Sequence, residues 1–197
     1  MFISSRQIAK FFRLCFREDK SKFIHLQRRF ALLDKGLAIS ATSIINYPDI
    51  SRISCEKNCP IGNYSIIDIC DELATEDQRA KLTLGIYVYI GEQCNIRASD
   101  SEIIIGSQTM IANNVVIASA NHKTTLGTPM FLQPWDRSNS GITIGEGCWI
   151  CSNCTILPGT IIGDGSVIAG GSVVRGTVPP LSIWGGVPAK HLKSRTA

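Results

Sequence analysis

The chain is predicted to fold as an all-β solenoid of short stacked strands, and three observations predict it. Branched aliphatic residues recur six apart at Ile144, Ile150, Ile156, Ile162, Ile168 and Val174. The residue after four of them is small, at Gly145, Cys151, Gly163 and Ala169. So is the residue four after the aliphatic, as at Cys148, Cys154, Thr160, Ser166 and Ser172. A helix repeats its apolar face at about 3.6 residues and a half-buried strand at about 2, so a run of sixes needs another geometry. A chain that turns a corner every six residues, with one aliphatic and one small residue pointing inward per side, closes a triangular coil in about eighteen.

The elements follow in order along 197 residues, a length that suits one or two domains. Residues 1–35 form a basic segment, predicted to be one or two helices over residues 4–34. Ile8, Phe11, Phe12 and Cys15 stand at helical spacing there, with Ser4 or Ser5 to cap the start. Six of the seven phenylalanines lie in this segment, and nine Lys/Arg against three Asp/Glu give it +6, leaving −2 for the remainder. Such a helix suits the open end of a repeat stack, whose bare edge would otherwise pair with other chains. A membrane surface or a polyanion is the alternative occupant. Arg13 interrupts the apolar stretch around Phe11–Phe16, so no secretory signal is expected. No run of about 18 apolar residues predicts a span, and a cytoplasmic protein is expected.

Residues 36–178 are assigned to the solenoid. Its first part, residues 36–70, places Ile39, Ile45, Ile50, Ile61, Ile66 and Ile67 at irregular spacing and reads as degenerate rungs. The polar stretch Asp71–Lys81 reads as a short helix or excursion. Regular coils are expected from Leu84, with Ile90 and Ile96, a slip of three residues, then Ile105, Ile111 and Ile117. Between residues 121 and 141 the register stops, and a segment rich in Pro, Thr, Gly and Ser carries Met130, Phe131 and Trp135. A loop this long inside a compact repeat is unusual unless it serves function. The ladder then resumes to Val174, and residues 179–197 are expected to leave the coil as a tail after Pro179-Pro180.

The chain has eight cysteines. Cys148, Cys151 and Cys154 have a spacing that suggests metal ligation, but Cys94, Cys148 and Cys154 hold the small inward position, where a thiol packs as a small hydrophobe. Packing is the favoured reading, since a closed zinc site wants four ligands. Cys55 and Cys59 lack a second pair and a nearby histidine. Of the three histidines, His25, His122 and His191, only His122 stands where rigid coil meets the long loop. Histidine titrates near neutral pH, as a general base for acyl transfer must. An isolated histidine before a loop is otherwise an ordinary surface residue.

The stretch ITIGEGCWICSNCTILPGTIIGDGSVIAGGSVVRGTVPPLSIWGGVPAKHLKSR, residues 142–195, resembles the left-handed parallel β-helix acyltransferases. This hexapeptide-repeat family includes galactoside, maltose and surface-polysaccharide O-acetyltransferases, and the match covers residues 86–193. The resemblance implies a left-handed helix and an acetyl-CoA-dependent O-acetyltransferase acting on a sugar hydroxyl. It also implies a homotrimer with sites between subunits, with no metal and no nucleic acid. In VIASANHKTTLGTP it makes His122 the general base of a direct transfer. Ser152 aligns with the oxyanion donor, while Gly170, Arg175 and Gly176 align with the pantetheine contacts. Lys190 and Lys193 align with the groups that meet the nucleotide phosphates of acetyl-CoA. Arg175-Gly176 replaces the Thr-Lys pair common after the last coil, which alters the contact there. Trp149 lines the acceptor or pantetheine groove, or seals the trimer. Asp100 and Asn95 align with groups that bind sugar hydroxyls, although a turn explains Asp100 equally well.

The basic aromatic segment departs from the galactoside and maltose enzymes and points to a surface-polysaccharide or lipid-linked acceptor at the inner face of a membrane. N-acetylation of an amino sugar, antibiotic or amino acid is the second reading, and a non-catalytic scaffold the third. A carbonic-anhydrase-like zinc site fails, because His25 and His191 lie outside the regular coils.

Overall fold

The six-residue ladder folds into three columns, one on each side of a triangular prism. A computed structural model describes residues 20–71 and 79–196, with side chains of the helix described from Leu26 onward. Side A is an eight-stranded sheet, side B and side C are six-stranded, and a separate two-stranded hairpin stands off them. On side A, Ile39, Ile61, Ile90, Ile111, Ile150, Ile168 and Trp184 align rung by rung in parallel strands. Side B stacks Ile45, Ile67, Ile96, Ile117, Ile156 and Val174. Side C stacks Cys55, Leu84, Ile105, Ile144, Ile162 and Val178. These columns meet at the prism axis and form one continuous core.

Each corner has two requirements. At the residue after the aliphatic, backbone passes backbone: a Cβ on Gly106 would lie 2.6 Å from the Gly145 carbonyl carbon. Three residues after the aliphatic the chain is left-handed, at Gln93, Gln108, Asn114 and Asn153 and at Gly147, Gly159, Gly165 and Gly171. Glycine takes that conformation without steric cost and asparagine tolerates it. The first requirement was legible in the sequence; the second was not anticipated.

The small inward residues are buried and tie successive coils together. The Thr109 hydroxyl donates to the Gly145 carbonyl at 2.7 Å, and Ser166 to Pro179 at 2.8 Å. Cys148 and Cys154 make the same kind of contact through sulfur, to Gly163 at 3.3 Å and Ala169 at 3.2 Å. Burial raises the thiols of Cys94, Cys148 and Cys154, keeping them protonated. Cys59 makes the same kind of contact, donating through sulfur to the Gly85 carbonyl at 3.1 Å.

Two expectations are corrected. The early rungs are not degenerate: strands begin at Leu37–Ile39 and Ile44–Asn46, in register with the later coils. Nor does the coil end at Pro179-Pro180. Ser182–Gly186 adds a further parallel strand to side A, and Ala189–Ser194 folds back antiparallel upon it.

The helix Lys20–Asp34 covers the first coil. Leu32 is buried, and the Arg29 guanidinium donates to the carbonyls of Ile39, Ser40, Ala41 and Ser43, which a free end would leave without partners. The sequence-predicted helical residues before Lys20, with their serine cap, lie outside the described residues, as does the stretch 72–78.

Departures from the coil are gathered on one edge. Residues 47–52, the excursion between Cys70 and Lys81, the slip at 98–101 and the long loop all lie between side B and side C. The core rungs carry the stability: Ile150 is fully buried between Ile111 and Ile168. Ile150→Ala is expected to cost about 2–5 kcal/mol, read as a lower urea midpoint at unchanged slope.

Candidate active site

The loop does not leave the prism as loose chain. Asn121–His122 pairs antiparallel with Trp135–Asp136, so His122 sits directly opposite Trp135. Their rings stack with centroids 4.3 Å apart. His122 Nδ1 lies 2.9 Å from the Gln133 carbonyl oxygen. A carbonyl only accepts, so in the neutral imidazole Nδ1 carries the proton and Nε2 keeps its lone pair. The imidazole is exposed to solvent and available to a substrate.

Gln133 holds the loop around this base. Its side chain is buried, and its amide nitrogen donates to the Thr125 and Thr128 carbonyls at 2.7 and 3.0 Å. Sequence reading missed this residue, because a glutamine between Leu132 and Pro134 belongs to no periodic pattern. The Asp136 carboxyl accepts from the Ser138 hydroxyl and N–H at 2.7 and 3.0 Å, bonds that hold it below the usual carboxylate range.

Beneath the loop lies the three-residue slip. The Ser101 hydroxyl donates to the Ser99 and Ser119 carbonyls, and the Ser99 N–H donates to the Ser119 hydroxyl. Asp100 occupies the left-handed region at φ 47, with its side chain 1% exposed. Its two carboxylate oxygens face Arg137, at 2.6 Å to Nε and 3.1 Å to Nη2. Asp100 is thus a turn residue and a clamp on the loop, with its carboxylate engaged by Arg137.

The other sequence-predicted residues fall on different parts of the prism. Arg175 and Gly176 are exposed on the same B/C edge as His122. Ser152 and Gly170 occupy the A/B edge one above the other, and the Gly171 N–H donates to the Ser152 carbonyl at 3.0 Å. Asn95 stands on the outer surface of side B, between Ile66 and Val116. Trp149 is exposed on side A, in an outward column with Tyr89, Met110, Val167 and Ile183. Lys190 and Lys193 are exposed on the terminal strand of that side. One chain therefore does not bring His122 and Ser152 together. Among the described residues no cluster of three His, Cys, Asp or Glu forms a metal site, and no helix is long and apolar enough to cross a membrane.

Comparison with known proteins extends this geometry. Residues 141–176 match the family model described as bacterial transferase hexapeptide (six repeats). No curated protein matches the chain. Among solved structures, a mutant of AntD, an N-acyltransferase from Bacillus cereus in complex with dTDP-4-amino-4,6-dideoxyglucose and coenzyme A, superposes with a TM-score of 0.70 at 18% identity, covering 86% of this chain and 89% of that one. A maltose O-acetyltransferase from Clostridium difficile gives 0.51 at 21% identity, covering 96% and 84%. A galactoside acetyltransferase in complex with coenzyme A gives 0.50 at 21%, covering 91% and 74%. The segment 141–176 is thus similar to the bacterial transferase hexapeptide, and the chain has the left-handed parallel β-helix fold seen in the hexapeptide-repeat acyltransferases.

Proposed function

We propose that the protein transfers an acetyl group from acetyl-CoA to a hydroxyl of a saccharide, with His122 as general base. The observation that carries this reading is the imidazole itself: Nδ1 is committed to the Gln133 carbonyl, so Nε2 is the nitrogen turned to the proton. The acceptor oxygen attacks the thioester carbonyl as Nε2 takes its proton. The tetrahedral oxyanion then collapses, the C–S bond breaks, and the departing thiolate takes the proton from the imidazolium. The Ser152 backbone N–H steadies the oxyanion. Gly170, Arg175 and Gly176 contact the pantetheine arm, and Lys190 and Lys193 serve the nucleotide phosphates as point charges. The test is release of CoA thiol from acetyl-CoA against panels of sugars, nucleotide sugars and aminoglycosides; silence across all panels sinks the reading. Amine acceptors form the second reading, favoured by the AntD complex, whose sugar bears an amino group.

His122 and Ser152 lie on different edges, so the working site joins two subunits of a homotrimer. The apolar column through Tyr89, Met110 and Trp149 supports this, as do Leu126 and Phe131 at the loop tip, 97% and 96% exposed. Trp149→Glu is expected to shift sedimentation from trimer to monomer; an unchanged trimer would place the interface elsewhere.

The basic segment suits the cytoplasmic face of an anionic membrane. Leu26, Phe30 and Leu33 point outward from the helix Lys20–Asp34. Phe30→Glu is expected to lower co-sedimentation with phosphatidylserine vesicles several-fold, and equal binding by the variant would end the idea.

A further inference from the structure

Every hydrogen-bonding group of Gln133 is engaged, although it lies in a loop. The side chain is buried, at 5% exposure. Its nitrogen donates to the Thr125 and Thr128 carbonyls, which uses both amide hydrogens, and its oxygen accepts from the Thr125 N–H at 3.4 Å. The main chain is held as well. The Gln133 N–H donates to the Met130 carbonyl at 3.1 Å and closes the short turn Met130–Leu132. Pro134 follows, and a residue before proline is confined to extended backbone, here with ψ 132. Just beyond, the Pro134 carbonyl accepts from the Lys123 N–H at 2.9 Å. The peptide that carries the Gln133 carbonyl is therefore fixed by the turn, by the proline and by the buried amide, and it is this carbonyl that meets His122.

The His122 ring needs such a partner. Stacking on Trp135 fixes its plane, but a half-turn about Cβ–Cγ keeps that plane and exchanges each nitrogen for a carbon. A neutral imidazole in water also favours the proton on Nε2, which would leave Nε2 without a lone pair. The carbonyl settles both choices, because only an Nδ1–H turned toward it makes the bond. We propose that Gln133 is a positioning residue for the transfer: its buried amide fixes the carbonyl that selects the ring flip and the tautomer of His122, and so keeps Nε2 bare. The proposal rests on the acyl-transfer reading above. A general base must present its lone pair to the proton it removes, so the selection acts on the chemical step and not on the hold for acetyl-CoA.

The test reads the tautomer by nitrogen NMR of the full chain carrying labelled histidine, without substrate, at about pH 8, where an ordinary imidazole is neutral. His122→Ala assigns the His122 signals. In the wild type Nδ1 is expected to carry the proton and Nε2 to be bare. Gln133→Met keeps the length of the side chain and removes its donors. In that variant His122 is expected to move toward the Nε2–H form, and kcat to fall by about 10²-fold with the KM for acetyl-CoA unchanged. Pro134→Ala leaves the amide in place and frees only the backbone before it, so it should shift the tautomer less. A wild-type ring protonated on Nε2 overturns the proposal before any variant is made, and so decides the matter even if Gln133→Met fails to fold. A lower melting temperature with the wild-type tautomer retained also overturns it, since that is the mark of a purely structural residue. Loss of the Nδ1–H form with transfer at the wild-type rate does the same. An Nδ1–H ring that depends on Gln133, in a protein that releases CoA to no acceptor, instead overturns the transfer reading and leaves the hold on the ring standing.

Discussion

His122→Ala is expected to lower acetyl transfer by about 10²–10⁴-fold, with little change in the affinity for acetyl-CoA. The magnitude follows from the role: proton removal belongs to the transition state, so its loss falls on kcat. The fold should persist, because the imidazole is exposed and its stacking on Trp135 contributes only about 0.5–1.5 kcal/mol. The hydrogen bond that orients the ring is donated by Nδ1 to a backbone carbonyl, so no substitution of the Gln133 side chain deletes it outright. Gln133 sets that carbonyl through its hold on Thr125 and Thr128. Transfer at the wild-type rate by a folded His122→Ala protein would sink the proposed base.

Asp100→Ala is expected to be the most costly polar substitution in the site. Removing one partner of a buried ion pair costs about 3–5 kcal/mol. Arg137 is 33% exposed, so water can reach it, and the lower end of that range applies. The loss should appear in denaturant titration together with a fall in kcat, because the clamp fixes the strand that carries Trp135. Arg137→Lys should fall between the wild type and Asp100→Ala, since an ammonium cannot reproduce the two-point contact. A shift below about 1 kcal/mol with unchanged turnover would show that the clamp does not set the loop.

The columns from Ile90 to Val174 were legible because each inward rung repeats at six and nearly every one is isoleucine. The first coils were obscured by the same residue type: Ile66 faces solvent while Ile67 faces the core, and composition does not separate them. At the other end the periodic signal stopped at Val174, because the next rung, Val178 on side C, comes four residues later instead of six, and the one after it on side A is an aromatic, Trp184. His122 was legible as the lone histidine at the loop base. Its supports were not. Gln133 and Arg137 act through contacts that close only once the loop has folded back, and no local spacing announces them. Asp100 was visible as an irregularity in the ladder, but its burial was not, since charged residues are seldom fully buried unless paired.

The collection of departures on the B/C edge has an evolutionary consequence. Along the other two edges each residue is counted, because a single insertion would rotate an isoleucine out of its column. On the B/C edge, chain can be added or removed between strands while the rungs above and below keep their partners. Whole inserts can therefore be exchanged at one seam, with the coils along the other two edges inherited intact. A transplant of residues 119–141 into a related helix is the natural unit of such an exchange, provided that Asp100 travels with it.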